Sequence, residues 1–237
     1  MDFIVCDNLV KRYGKGPSAV HAINGISFSV QSGEFVAVMG ESGSGKSTLL
    51  SVMGAMNSPS QGQYRVDDID VYGLSSEQQA DFRREYLGFV FQSFHLVPYL
   101  TVLENVMLPL TTVKKTKAEK RSMGMEALAW VGMAEKSARL PNEISGGEME
   151  RAAIARAIVN QPPILLADEP TGNLDSRNSR VVMDLMQRLN QSGVTVIMVT
   201  HSATCAQFAQ RILNVQDGRL ADGQVEHKQR VLAPQAA

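Results

Sequence analysis

The chain has 237 residues, of which 44% are hydrophobic, which is enough to bury the core of one large domain or of a domain with a small subdomain. Its 23 basic and 24 acidic residues leave a formal charge of −1, which argues against a broad nucleic-acid-binding face. The two cysteines, Cys6 and Cys205, are too few for a disulfide scaffold or a cysteine-based metal site, and we expect them to be reduced thiols.

Neither a leader nor a membrane span is expected. The N-terminal sequence MDFIVCDNLVKRYG lacks a charged start followed by an apolar stretch, so it does not indicate a signal peptide. The apolar runs FVAVMG, ILLAD and VTVIMVT fall far short of the roughly 20 residues that span a bilayer. If the protein works at a membrane, we expect something else to hold it there.

The strand signals are of two kinds. Ile26, Phe28 and Val30 alternate with serines, which predicts a half-exposed antiparallel strand, and residues 61–72 have a similar pattern. Three other runs are apolar throughout, as in strands of a mostly parallel sheet that is covered on both faces. These buried strands are predicted at Glu34–Met39, Ile164–Ala167 and Val194–Thr200.

Helical patterns accompany the buried strands, and this alternation predicts an α/β fold. The helices are predicted at Lys46–Met56, Gly147–Asn160 and Arg180–Asn190. Residues 93–141 lack buried-strand runs, and we interpret this stretch as a mainly helical insertion. Its lysine-rich segment Lys114–Gly132 is expected to be a solvated helix face. The polar tail at 222–237 is expected to be loose.

The strongest functional signal is GESGSGKS at Gly40–Ser47, which matches the phosphate-binding pattern G-x-x-x-x-G-K-[ST] between a predicted strand and a predicted helix. Its glycines let backbone N–H groups turn toward a di- or triphosphate, and the helix N-terminus adds partial positive charge. Lys46 is expected to reach the β- and γ-phosphates, and the Ser47 hydroxyl to ligate Mg²⁺. A purely structural glycine turn is the alternative, which the strand–loop–helix context disfavours.

The sequence ILLADEP at Ile164–Pro170 places two carboxylates at the carboxyl end of a buried strand, where open α/β sheets bind ligands. Asp168 suits the surroundings of Mg²⁺, and Glu169 could polarise a water as a general base. Because any strand end can carry acids, this assignment depends on the phosphate-binding loop.

Four further features have structural as well as functional explanations. SGGE at Ser145–Glu148 opens a long helix, either as a second anion-binding terminus or as a good N-cap. His201 follows a buried strand and could touch the γ-phosphate, although a lone histidine there is more often structural. Gln92 follows YLGFVF and by itself does not indicate a function. Tyr13 could stack on a purine or pack in a strand.

In this order, these pieces resemble the ATP-binding subunits of ABC transporters over about residues 3–220. The matching stretches are the A-loop aromatic (Tyr13), Walker A (Gly40–Thr48), the Q-loop (Gln92), the signature (Ile144–Glu148), Walker B (Ile164–Glu169), the D-loop (Asn173-Leu174-Asp175) and the switch histidine (His201).

The resemblance implies an α/β fold, a RecA-like P-loop NTPase core with an antiparallel β subdomain and a helical subdomain. It implies a single ATP-binding domain over residues 1–237, with the core at about 1–92 and 161–220 and the helical subdomain at about 93–160. Two such domains are implied to face each other head to tail, so that the signature of one completes the ATP site of the other.

The resemblance also implies ATP hydrolysis with Mg²⁺ and assigns residues to it. Catalytic roles are implied for Glu169, His201 and Gln92, and Mg²⁺ contacts for Ser47, Gln92 and Asp168. The implied ATP contacts form a larger set: Tyr13, Gly40, Glu41, Ser42, Gly43, Ser44, Gly45, Lys46, Ser47, Thr48, Ser145, Gly146 and Gly147.

The signature reads ISGGE where the family usually has LSGGQ. Ile144 in place of Leu is a packing change. Glu148 in place of Gln suits the helix dipole but weakens the expectation of a strong ATP contact in trans. Within the family, GEFVAVMGESGSGKSTLL, TVLENVMLPL, ISGGEMERAAIARA and DEPTGNLDS look most like exporters of the lipoprotein-release and macrolide-efflux type.

The leading hypothesis is therefore an ATPase subunit that acts as a homodimer and powers separate transmembrane permease subunits. Such a subunit would lie peripherally at the cytoplasmic face of the inner membrane, with no nucleic acid as partner, and Phe94–Val106 is predicted to dock the permease. A soluble ABC ATPase acting on DNA or ribosomes is one alternative, although the chain lacks room for long coiled-coil insertions. A P-loop kinase or GTPase is another, although a kinase does not need SGGE and a guanine-reading NKxD motif is missing.

Overall fold

The computed structural model describes residues 2–16 and 19–227, with the backbone alone for 222–227. Its strands are β1 (Asp2–Tyr13), β2 (Val20–Gln31), β3 (Phe35–Met39), β4 (Gln61–Val66), β5 (Ile69–Asp70), β6 (Leu87–Val90), β7 (Ile164–Asp168), β8 (Thr195–Thr200), β9 (Arg211–Gln216) and β10 (Arg219–His227). Its α-helices are α1 (Lys46–Met53), α2 (Ser76–Tyr86), α3 (Val102–Met107), α4 (Lys117–Trp130), α5 (Gly146–Ile158), α6 (Ser176–Gln191) and α7 (Ala203–Ala206).

The larger of two sheets has six strands in the order β10-β9-β3-β8-β7-β6. Every pair in it is parallel except β9 with β10 at one edge, which is antiparallel. The parallel strands end together at one edge of the sheet, which is where ligands bind in open α/β folds. The predicted α/β class is confirmed.

The smaller sheet is antiparallel throughout and has the order β2-β1-β4-β5. It contains both segments whose alternating or mixed pattern predicted antiparallel strands, at Ile26–Val30 in β2 and at residues 61–72 in β4 and β5. This sheet covers one face of the larger sheet together with α1 and α2, and helices α3 to α7 cover the opposite face.

Burial on both faces explains why the predicted core strands lack polar alternation. Along β3, Val36 and Val38 face the smaller sheet and α1, whereas Phe35 and Ala37 face the helices on the opposite side. All four side chains are at most 1% exposed. Strands β7 and β8 alternate between the same two layers, so they are apolar at every position from Ile164 to Ala167 and from Val196 to Val199.

Some predicted boundaries differ from the observed ones because capping groups decide where helices begin. Helix α6 begins at Ser176 rather than at the predicted Arg180, because the Asp175 side chain accepts a hydrogen bond from the Asn178 N–H. The predicted helix at Lys114–Gly132 is α4, which begins after Thr116 in a similar way.

The predicted loose tail is wrong for residues 222–227. Strand β10 continues through them to His227, because after an irregularity beyond Leu220 the pairing with β9 resumes at Val225. Residues 228–237 lie outside the described part of the chain.

Candidate functional site

The loop between β3 and α1 is shaped by glycines. Gly43 and Gly45 have φ angles of 81° and 103°, which other residues rarely adopt. A Cβ at Gly45 would overlap the carbonyl oxygen of Ala22, so a neighbouring strand also requires glycine there. Gly45 caps α1 without a side-chain hydrogen bond, which leaves the amide groups of the first turn without a side-chain partner at the cap. The loop can therefore receive phosphate oxygens with its backbone.

Lys46 occupies the first turn of α1 and is only 7% exposed. Its Nζ donates to the carbonyl oxygens of Gly40 at 2.8 Å and of Glu41 at 2.7 Å. The ammonium group is thus held across the loop by neutral acceptors, and within the described residues it forms no ion pair with a carboxylate. A phosphate group entering the loop would meet a positive charge that is not directly paired.

The Ser47 hydroxyl, also in the first turn of α1, donates to Asp168 Oδ1 at 3.2 Å. Asp168 ends β7, so the two oxygen groups come from neighbouring parts of the sheet edge. Burial raises the pKa of Asp168, and the hydrogen bond from Ser47 opposes that shift. A bound cation would relieve the cost of burying this carboxylate charge.

Glu169 follows directly and has a left-handed backbone, with φ 48°. Its N–H donates to the Val199 carbonyl of β8 at 3.0 Å, and its Oε1 lies 2.9 Å from His201 Nδ1. The His201 ring is 68% exposed, while the Glu169 side chain is 13% exposed. The carboxylate is therefore fixed at the sheet edge by backbone and imidazole together, a strained geometry of the kind found at functional sites.

These groups meet in one cleft of about 720 Å³. Its lining residues are Ala22, Glu41, Ser42, Gly43, Gly45, Lys46, Ser47, Thr48, Gln92, Glu169 and His201. The structure thus brings the phosphate-binding loop together with all three predicted catalytic side chains. Ala22 was missed by sequence reasoning, since its contribution comes through strand geometry and no local motif marks it. In the described residues, no cluster of three or more His, Cys, Asp or Glu side chains could hold a metal ion.

Comparison with known proteins decides the family. A family model described as "ABC transporter" matches residues 23–172, more than half of the chain. The chain belongs to the ABC transporter family. It is 44% identical over 217 residues to the ABC transporter ATP-binding protein YvrO of Bacillus subtilis, covering 92% of this chain and 95% of that protein.

A second relative is longer. The macrolide export ATP-binding/permease protein MacB of Chlorobaculum tepidum is 43% identical over 215 residues, which covers 91% of this chain. This chain spans only 33% of the length of that MacB protein.

The solved structures agree. The dimeric, ADP- and Pi-bound structure of the ATP-binding cassette MJ0796, a protein of Methanocaldococcus jannaschii, matches with a TM-score of 0.86 and 38% identity, covering 94% of this chain and 98% of that one. The chain is therefore an ABC-type ATPase that binds ATP, and the predicted family and enzyme class are confirmed. A P-loop kinase or GTPase is excluded.

The signature stretch of this cassette lies at the start of α5, and the residues lining the described cleft do not include it. Ser145 forms a capping box with Glu148: its hydroxyl accepts from the Glu148 N–H, and the Glu148 carboxylate accepts from the Ser145 N–H at 2.8 Å. A Cβ at Gly147 would overlap the Asn178 side chain of α6, so glycine permits close packing there. Ser145, Gly146 and Gly147 therefore lie outside the cleft that the phosphate-binding loop lines within one chain.

Tyr13 ends β1 and does not line the described cleft either. Its side chain is 45% exposed, its hydroxyl accepts from Asn57 Nδ2, and Lys11 Nζ lies 5.3 Å from its ring centroid. The ring is neither buried in a core nor placed against the phosphate-binding loop, which leaves its predicted stacking on a base untested.

Proposed function

We propose that the cassette hydrolyses ATP with Glu169 as the general base and His201 as its positioning partner. The position of Glu169 carries this proposal: its carboxylate lines the same cleft as Lys46 and is bonded to His201. A water between Glu169 and the γ-phosphate could lose a proton to the carboxylate as it attacks. Lys46 would bind the β- and γ-phosphates, and the amides of residues 41–48 would hold the phosphate chain.

Mg²⁺ fits the oxygen groups at the edge of β7. Ser47 and Asp168 supply hard oxygen donors, the type that Mg²⁺ prefers, and Gln92 lines the same cleft as Ser47. These residues would hold the ion together with phosphate oxygens, because the described residues offer too few carboxylates to hold it alone. When bound, Mg²⁺ would neutralise phosphate charge during hydrolysis.

The test of the chemistry is Glu169→Gln, which retains the shape of the side chain but removes the base. We expect MgATP to bind normally while turnover falls by about 10²–10⁴-fold. His201→Ala serves as the companion variant, with a smaller loss because the base remains. Wild-type turnover in Glu169→Gln would contradict the assignment of the base.

We also propose that two copies of the cassette close head to tail around ATP, with Ser145, Gly146 and Gly147 of one chain contacting the nucleotide of the other. The separation of α5 from the cleft supports this arrangement, as does the dimeric form of the related MJ0796 cassette. The Glu148 carboxylate is already held by Ser145, and Lys136 lies 3.8 Å from it, so its negative charge is partly compensated before ATP arrives.

Mixed dimers distinguish action in trans from action within one chain. Lys46→Ala subunits combined with Ser145→Arg subunits contain one site damaged twice and one intact site. We expect part of the ATPase activity to return relative to either homodimer, measured on dimers purified with two different tags. Mixed dimers as inactive as both parents would count against this proposal.

We propose finally that the cassette powers an exporter of the macrolide-efflux or lipoprotein-release type through separate permease subunits at the cytoplasmic face of the inner membrane. The likeness to MacB supports the class, and none of the described helices is long and apolar enough to cross a bilayer. Tyr99 is 79% exposed in the predicted docking segment, whereas Val102, Leu103 and Val106 are buried in the core. Docking is therefore proposed around Tyr99 rather than along the whole segment.

The docking proposal is tested with Tyr99→Glu. We expect this variant to bind ATP as the wild type does but to lose co-purification with a multi-spanning membrane protein. Retained co-purification would remove Tyr99 from the docking surface. Arg121→Glu, on the exposed face of α4, is the control for a change of charge alone.

A further inference from the structure

The turn that follows Gln92 has an unusual backbone. Phe94 and His95 are consecutive residues with φ angles of 57° and 49°, a left-handed conformation that residues other than glycine seldom adopt. The turn begins with a hydrogen bond from the Phe94 N–H to the Phe91 carbonyl at 3.2 Å. Two adjacent residues in this conformation persist only where their surroundings hold them.

Arg156, near the end of α5, holds these two residues in place. Its Nη2 donates to the Phe94 carbonyl and its Nη1 to the His95 carbonyl, both at 2.6 Å. The planar guanidinium therefore spans the two strained residues with a pair of charge-assisted hydrogen bonds. Because both carbonyls belong to the left-handed residues, this contact stabilises that conformation specifically.

Within the described residues, Glu150 forms no hydrogen bond that would draw the guanidinium away from these neutral acceptors. It lies earlier in α5, is fully buried, and within the described residues neither of its carboxylate oxygens has a hydrogen-bond partner. Burial raises the pKa of Glu150 to about 8, although the charge of Arg156 opposes the shift. Arg156 therefore bonds to the turn rather than to this carboxyl.

Gln92 lies between this turn and a second anchor. Its own carbonyl accepts from Asn173 Nδ2 at 2.8 Å, and its side chain lines the cleft with Glu169. Gly172 leaves room for the Gln92 amide, since a Cβ there would lie 3.0 Å from Gln92 Nε2. Gln92 is thus held from one side by Asn173 and from the other by the turn that Arg156 spans.

We propose that Arg156 is a positioning residue for ATP hydrolysis, which holds the Phe94–His95 turn in its left-handed form and thereby keeps Gln92 at the catalytic cleft. This inference rests on the proposed function, because it requires that Gln92 acts in the reaction. Arg156 is too far along α5 to line the cleft itself, so its effect passes through the turn.

The experiment is a double-mutant cycle between Arg156→Lys and Gln92→Ala on the full chain. Lysine retains the positive charge but cannot bond to both carbonyls with one planar group. We expect Arg156→Lys to lower kcat about tenfold, as a small displacement of a positioned group does, with the Kd for MgATP changed less than twofold. In the Gln92→Ala background the same substitution should lower kcat less than twofold further.

Two controls separate this role from a general structural one. Arg139→Lys changes an exposed arginine that pairs only weakly with Glu143, at 3.9 Å, and should leave kcat unchanged. Phe94→Gly accepts the left-handed conformation without strain, so combined with Arg156→Lys it should restore most of the lost kcat. A loss that arises from misfolding away from this turn would not be rescued in this way.

Each outcome bears on a different claim. If Gln92→Ala turns over like the wild type, the role of Gln92 in the proposed function is wrong. If Gln92→Ala is slow while Arg156→Lys has wild-type kcat, or if the two losses multiply, the inference about Arg156 is overturned and the proposed function stands. Should Arg156→Lys not fold, the uncharged Arg156→Gln, which can still donate to one carbonyl, takes its place in the same cycle.

Discussion

Helices α1 and α5 both have a small residue at the N-cap, but the backbone amides of their first turns have different partners. At α1 the cap is Gly45, which contributes no side-chain hydrogen bond, and the first turn has no acidic residue. At α5 the cap is Ser145, and Glu148 completes a capping box with it. The first-turn amides of α1 are open to a ligand, whereas the Glu148 amide of α5 already donates a hydrogen bond to the Ser145 side chain.

This difference matches the two kinds of phosphate contact in the proposed function. There, the start of α1 would receive a phosphate chain in the loop of the same molecule, with Lys46 beside it. The start of α5, already capped by its own residues, would contact the nucleotide of a second molecule. Four predictions test the contrast, from the largest expected effect to the smallest.

Gly45→Ala should have the largest effect. The added Cβ would overlap the Ala22 carbonyl, and alanine would be strained at φ 103°. We expect a loss of at least about 3 kcal/mol in the free energy of unfolding of the nucleotide-free protein, measured by urea denaturation. Gly43→Ala is the matched control, because at φ 81° it has open space and should lose only about 1 kcal/mol. Equal losses would show that strain alone, rather than the neighbouring strand, requires glycine at Gly45.

Lys46→Ala should come next, through binding rather than folding. Removing its charge-assisted contacts to phosphate costs about 1.5–3 kcal/mol, so the Kd for MgATP should rise about 10–100-fold by isothermal titration. Ser145→Ala, measured on dilute monomeric chains, should change the Kd less than twofold. A weakening by Ser145→Ala as large as that by Lys46→Ala would mean that α5 contacts the nucleotide of its own chain.

Two glutamates within α5 sharpen the comparison further, because their environments shift their pKa values in opposite directions. Burial raises the pKa of Glu150 to about 8, so the folded protein binds a proton that the unfolded chain releases near pH 4.5. Stability therefore falls as pH rises from about 4.5 to 8. Glu150→Gln should raise the free energy of unfolding by about 1–2 kcal/mol at pH 8, with no gain at pH 4. A gain that is independent of pH would contradict a buried, titrating carboxyl.

Glu148→Gln should have the smallest effect and the opposite pH dependence. The hydrogen bond from the Ser145 N–H lowers the pKa of Glu148, so its stabilising contribution is present above about pH 4.5 and lost as pH falls through the lowered pKa. We expect a loss of about 0.5 kcal/mol at pH 7, typical of a charge at a helix N-terminus, that disappears in acid. A thermal melt series from pH 3 to pH 8 measures both glutamate variants under the same conditions.

Much of the fold could be read from local patterns. The buried strands β3, β7 and β8 are apolar at consecutive positions because both faces of their sheet are covered, and such runs stand out in any sequence. The phosphate-binding loop is equally visible, because its glycines and Lys46 are needed at set spacings. Less visible were the short edge strand β6, whose partner β7 lies far along the chain, and the end of β10, which pairs with β9 again only after an irregularity.

The sequence by itself determined the chemistry of the site: a loop for phosphate, carboxylates after a buried strand, and a capped helix with two glycines. Only the tertiary structure decided which of these groups lie in the same cleft. It placed Glu169, His201 and Gln92 around the loop because parallel strands end at one edge, and it kept Ser145 away because α5 starts elsewhere. The contact of Arg156 with Phe94 and His95 joins residues about 60 positions apart, and no local pattern encodes it.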